Sequence, residues 1–340
     1  MLTPTSTSAP PLGGKPVKVG RRWRRFVVVL LVLSTVLTVS YTAVSIYIAT
    51  QLMYAPRMPI YATPASLGLQ YKDVIFASRD DHLLIRGWFI PGVLPNGHLT
   101  TQRTIIMVHG NSTNRADKGA GILNLSGALT RHAFAILAFD MRGAGESPDA
   151  PRSFGLYEQR DVLGAVDFLR SGPLLYPELG RPRAIAGWGV SEGAATLILA
   201  AAKEPAIRAI VSDSAYADIL PILEREIPKL GHLPPLFTPG ALIAAQMLYG
   251  VDYYNIRPEN FVASIAPRPI LFIQGDKDDF IPPSNMSTLA AAARTAPNAD
   301  VQTWLVKGAN HAQSYNKMGK AYVDRIVTFY TGALGPATSV

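Results

Sequence analysis

After residue 71 the chain keeps repeating one pattern: a short apolar run breaks at a glycine, aspartate or histidine, and a segment of helical spacing follows. The runs "TIIMVHG", "FAILAFDMRG", "RAIAGWGV", "IRAIVSDSA" and "RPILFIQGDKDD" are too uniformly apolar for half-exposed strands and suit parallel strands covered on both faces. Segments 117–131, 156–170 and 283–296 and the stretch after Ser191 read as helices, and "VQTWLVKGANH" with a helix near 317–331 closes the series. At the start, "KDVIFAS" and "HLLIRGWFI" read as a β-hairpin. The alternation predicts one α/β domain over 71–340 with a mostly parallel sheet. In such sheets the chemistry lies outside the carboxyl ends of the strands. Those ends carry His109, Gly110, Asn111, Asp140, Ser191, Asp213, Asp278 and His311. The interval 216–261 breaks the rhythm and is too long for a connection, so it reads as a small helical cap inserted over the strand ends.

Charge is distributed unevenly. Of the formal +8, all comes from eight basic residues that precede the first acidic residue, Asp73, and the remainder balances 24 basic against 24 acidic side chains. The totals therefore give no support to a nucleic-acid-binding face. Residues 1–25 read as a disordered basic tail. From Phe26 to Pro56 no residue is charged, and Phe26–Ala49 as a helix would be about 36 Å long, enough to cross a hydrocarbon core of about 30 Å. Basic residues crowd its amino end, which predicts a signal anchor with the amino terminus in the cytoplasm and the working domain on the other side of the membrane. A cleaved signal peptide is the competing reading, with Ala43 and Ser45 as the small-residue pair. Residues 50–70, with Pro56, Pro59 and Pro64, read as a linker.

The chemistry concentrates at Gly189-Val190-Ser191-Glu192-Gly193, a G-x-S-x-G arrangement between an apolar strand and an alanine-rich helix. A serine hydroxyl needs a base to take its proton, and a neutral imidazole with a pKa of about 6.5 suits that task. His311 is the one histidine beyond His232, and Asp278 ends the strand before it. The order Ser, Asp, His agrees with one known triad architecture. Asp276, Asp279 and Asp213 also stand at or near strand ends and remain candidates for the acid. His109 and Asp140 read as residues that hold loops, and His232 as a surface residue. The absence of cysteine excludes disulfides, thiolate metal sites and cysteine nucleophiles, and the six histidines show no metal-ligating spacing.

From about residue 70 onward the chain resembles the α/β-hydrolase superfamily. The resemblance is carried by "VHGN" at 108–111, "DMRGAGES" at 140–147, the elbow at 189–193, "GDKDDFIP" at 275–282 and "GANH" at 308–311. It implies Ser191 as nucleophile, His311 as base, Asp278 rather than its neighbours as the acid, and an oxyanion hole formed by the backbone N–H groups of Asn111 and Glu192. An acidic Glu192 beside that hole departs from what the charge there wants, and the first turn of the following helix, near its positive end, is where its side chain would sit. No cofactor is implied. The expected function is a serine hydrolase that cleaves ester, thioester or related acyl bonds of a small-molecule substrate. The apolar cap sequence "LPPLFTPGALIAAQMLYG" hints at a lipidic acyl group, or simply packs the cap down. A peptidase, an acyltransferase and a non-catalytic anchored binding protein are the other readings of the same fold.

Overall fold

The computed structural model describes residues 20–230 and 233–337. His232 and most of the basic tail lie outside the described residues. The chain divides into two compact units, one ending at Val44 and the other running from Ser45 onward.

Helix α1 (Arg21–Met53) begins before and ends after the expected span of 26–49. Phe26 to Met53 contains no charge, proline or glycine to stop it. Its most apolar 18-residue window has a mean hydropathy of 2.3 and is unburied, so it is long and apolar enough to cross a membrane. From Ser45 on, α1 belongs to the second unit, where Ala49, Leu52 and Met53 are buried. The following residues, expected to be a linker, are packed down as well. Asn114 donates to the carbonyls of Met58 and Pro59, Arg57 donates to the Ser147 carbonyl at 2.8 Å, and Leu67 and Leu69 pack on the body. The prolines of this stretch stiffen it locally, but its apolar side chains decide where it lies.

The body is built on strands β1 (Lys72–Ala77) and β2 (Leu84–Ile90), a minor pair β3 (Gly92–Val93) and β4 (Leu99–Thr100), and then β5 (Arg103–Val108), β6 (Ala135–Phe139), β7 (Ala184–Val190), β8 (Ile207–Asp213), β9 (Ile270–Gly275) and β10 (Val301–Val306). Eight of them form one sheet in the order β1-β2-β6-β5-β7-β8-β9-β10. The β1–β2 hairpin and the β2–β6 pair are antiparallel, and every later pair is parallel. Alternate residues serve opposite faces, as the pleat requires. Ile106 and Val108 join the layer of α3 (Glu158–Ser171), α4 (Glu192–Lys203) and α7 (Ser284–Ala293). Ile105 and Met107 join the layer of α2 (Ile122–Thr130) and α9 (Lys320–Leu334). Because both faces are covered, β5, β6, β7 and β9 are buried along their whole length, which is why they read as uninterrupted apolar runs. The interval 216–261 holds α5 (Leu220–Leu230) and α6 (Phe237–Tyr249), followed by short 3-10 turns. A short α8 (Ser314–Met318) precedes α9.

Candidate active site

Ser191 lies where β7 ends and α4 begins, with φ 55° and ψ −124°. A side chain held at positive φ costs about 1–3 kcal/mol, and the surrounding structure must enforce it. Gly193 shows how. A methyl group there would lie 2.2 Å from the carbonyl oxygen of His109 and 2.3 Å from that of Val108, so only glycine lets the start of α4 press against the end of β5. This approach sets Ser191 beside the Gly110–Asn111 turn.

His311 follows β10. Its Nε2 is 2.9 Å from Ser191 Oγ, and its Nδ1 is 2.8 Å from Asp278 Oδ2. The two strand ends that carry Asp278 and His311 meet over Gly275, where a methyl group would lie 2.3 Å from the Ala309 carbonyl oxygen. Asp278 is buried at 2% exposure and accepts from Gln274 Nε2 and from the backbone N–H groups of Phe280 and Ile281. A carboxylate can only accept, so its bond to His311 places the imidazole proton on Nδ1 and leaves the Nε2 lone pair facing the serine hydroxyl.

The other acids at the strand ends are occupied elsewhere. Asp276 accepts from the Gly308 N–H and holds the turn before His311, while Asp279 is exposed. Asp213 does not reach His311. It accepts from Tyr322 Oη, Ser214 Oγ and Ser314 Oγ, and Trp188 Nε1 donates in turn to Tyr322. Burial raises its carboxyl to about 6 against those hydrogen bonds. Ser214 Oγ also accepts from the N–H of Ala312, next to the histidine, so this buried network steadies the His311 loop. Sequence reasoning could not see it, because its members are about a hundred residues apart.

His109 has both ring nitrogens engaged: Nδ1 donates to the Gly110 carbonyl at 2.7 Å, and Nε2 accepts from the Met141 N–H. Burial lowers its pKa, in keeping with the neutral ring that this bonding pattern needs. Asp140 accepts from the N–H groups of Arg115 and Glu146 and pairs with the Arg115 guanidinium, tying two loops together. Both residues therefore hold the turn that carries Asn111. Among the described residues, no group of three His, Asp or Glu side chains is gathered as a metal site would need.

Glu192 stands in the first turn of α4, at its positive end. Its side chain is buried at 3% exposure, and its Oε1 has no hydrogen-bond partner. Burial raises its pKa well above the carboxylate range, the nearby Glu158 adds to this, and Arg152 only partly offsets it. Tyr216 and Tyr253, buried beside the two glutamates, add no positive charge. A neutral Glu192 does not oppose negative charge developing near Ser191. The sign of the pH dependence follows. A carboxyl with a raised folded pKa keeps a proton that the unfolded chain releases, so its contribution to stability is full below the ordinary value of 4.5 and is lost as pH rises through the folded value. Glu192→Gln should therefore lose less Tm than the wild type on going from about pH 5 to about pH 9. Asp161 and Asp213, both raised to about 6, are common to the two proteins and cancel in the difference. Equal slopes would contradict the assignment.

Comparison with known proteins places the chain in a family. The sequence pattern of the prolyl oligopeptidase family matches residues 129–337, and the chain belongs to that family. A protein called YfhR from Salmonella typhi is 27% identical over 297 residues, covering 84% of this chain and 89% of the relative. In structure the chain is similar to the Pyrococcus furiosus esterase Pf2001, with a TM-score of 0.67 at 23% identity over 84% of this chain and 99% of that one. It is also similar to the Pyrococcus horikoshii acylaminoacyl peptidase, with a TM-score of 0.58 at 18% identity over 80% of this chain and 43% of that one. The fold is that of the α/β hydrolases, and the class is a serine hydrolase of ester or peptide bonds.

Proposed function

We propose that this protein is a membrane-anchored serine esterase that acts on hydrophobic acyl substrates through an acyl-enzyme. The observation that carries the reading is the unbroken chain of hydrogen bonds from Ser191 through His311 to Asp278, ending on a serine held at positive φ. Ser191 Oγ attacks the carbonyl carbon while His311 Nε2 takes the hydroxyl proton. Asp278 holds the Nδ1–H tautomer and stabilises the imidazolium. The oxyanion is received by the N–H of Asn111 and by the N–H of Glu192, which opens α4 and so has no intrahelical acceptor. His311 then returns the proton to the leaving oxygen, and water repeats the sequence to release the acid.

Two observations favour ester over peptide bonds and anchor over cleaved signal. The chain spans nearly the whole of the esterase it resembles but under half of the peptidase. Helix α1 runs unbroken through Ala43 and Ser45, and its last turns are buried in the catalytic unit, so cleavage there would cut a formed helix. The basic amino end of α1 then lies in the cytoplasm and the catalytic unit across the membrane. The test is turnover of p-nitrophenyl acyl esters against acyl-peptide anilides by the full chain in detergent. Esters should turn over with a burst of p-nitrophenol. Turnover confined to the anilides would make the protein a peptidase instead.

A further inference from the structure

A groove of about 320 Å3 lies between the end of α1 and the cap, with Ile48, Gln51 and Ala55 on one wall and Ser112, Ile227 and Leu233 on the other. Among the described residues, no charged side chain lines it. We propose that this groove holds the acyl chain of a substrate resident in the bilayer, so that the end of the anchor helix is itself part of the substrate site. The inference rests on the esterase reading above and names the substrate class for it.

Both walls are tied to the reacting residues. Ser112 follows Asn111, and the preceding Gly110 faces Ser191, since a methyl group there would be 3.3 Å from the serine Cβ. Ile227 belongs to α5, whose Arg225 donates to the Phe280 carbonyl, and the Phe280 ring stands edge-on to His311 at 5.0 Å. The groove is thus walled by the turn that would receive the oxyanion and by the helix braced on the loop that carries Asp278, whose Phe280 ring meets His311.

Its other end is at the membrane by chain connectivity. Ile48 and Gln51 are in the last turns of a helix that carries no charge from Phe26 onward, so they emerge where that helix leaves the hydrocarbon. The cap supplies an independent sign. Helix α6 has no charged residue, buries Ala241, Leu242, Ala244 and Ala245, and leaves Ile243, Met247 and Leu248 exposed by 55, 81 and 54%. Its Tyr249 hydroxyl is 3.1 Å from Thr50 Oγ1, and its ring meets that of Tyr54. An uncharged helix with large apolar side chains outward, fastened beside the emerging anchor, fits the boundary between headgroups and acyl chains better than water.

The test uses the full chain in phosphatidylcholine vesicles, with p-nitrophenyl acetate and p-nitrophenyl decanoate as substrates. Ala55→Trp, which fills the groove, should lower the decanoate-to-acetate ratio of kcat/KM about tenfold. Gln51→Leu, which makes it more apolar at an exposed position, should raise that ratio. Fluorophosphonate labelling of both variants reports an intact serine, and Gln51→Leu decides the matter should the larger substitution disturb folding. An unchanged ratio in a labelled variant overturns the groove assignment and leaves the esterase reading standing. A wild type that hydrolyses neither ester and takes no label removes that reading and this inference with it.

Discussion

Ser191→Ala and His311→Ala should each lower kcat on an acyl ester by about 10⁶, and the double variant should be no slower than either single one. In the proposed mechanism the two side chains act as one device. Without the imidazole the hydroxyl keeps its proton, and without the hydroxyl the imidazole has nothing to activate. Their 2.9 Å contact is what makes the losses overlap rather than add. Residual turnover should remain above the uncatalysed rate, since the N–H groups of Asn111 and Glu192 do not depend on either side chain. Additive losses would mean that the two residues work separately.

Asp278→Asn should cost about 10⁴ in kcat with the fold intact. Asparagine fits the same space, but it can turn an N–H toward His311 Nδ1 and so favour the tautomer that carries its proton on Nε2, where the serine needs a lone pair. The Gln274 amide and the Phe280 and Ile281 N–H groups fix the carboxylate in place, so solvent cannot substitute for it. Asp279→Asn, at an exposed neighbour, should leave kcat close to that of the wild type. A loss at position 279 equal to that at 278 would move the acid.

Much of the fold was readable because the central strands are covered on both faces and lie bare as apolar runs, and because Ser191 sits in a motif with a steric reason for its glycines. Choosing among Asp276, Asp278 and Asp279 was beyond spacing alone, since the choice depends on how the turn after β9 folds, and there the resemblance named the residue that the geometry brings to His311. The stretch 50–70 differs in another way. Its prolines spoke for a stiff connector, while the partners that pack it down lie near residues 114, 127 and 147. The first-turn position of Glu192 is legible in its own helix, while its electrostatic surroundings come from Arg152 and Glu158 in another segment. Local chemistry was legible in each case. Long-range burial was not.

The proposed mechanism requires Ser191 to be an activated nucleophile. The most direct measurement is to treat the detergent-solubilised full chain with a fluorophosphonate probe and locate the adduct by peptide mass spectrometry. One adduct is expected, on the peptide that contains Ser191, absent from Ser191→Ala and strongly reduced in His311→Ala. A folded wild type that takes no label, or an adduct on any other serine, would contradict it.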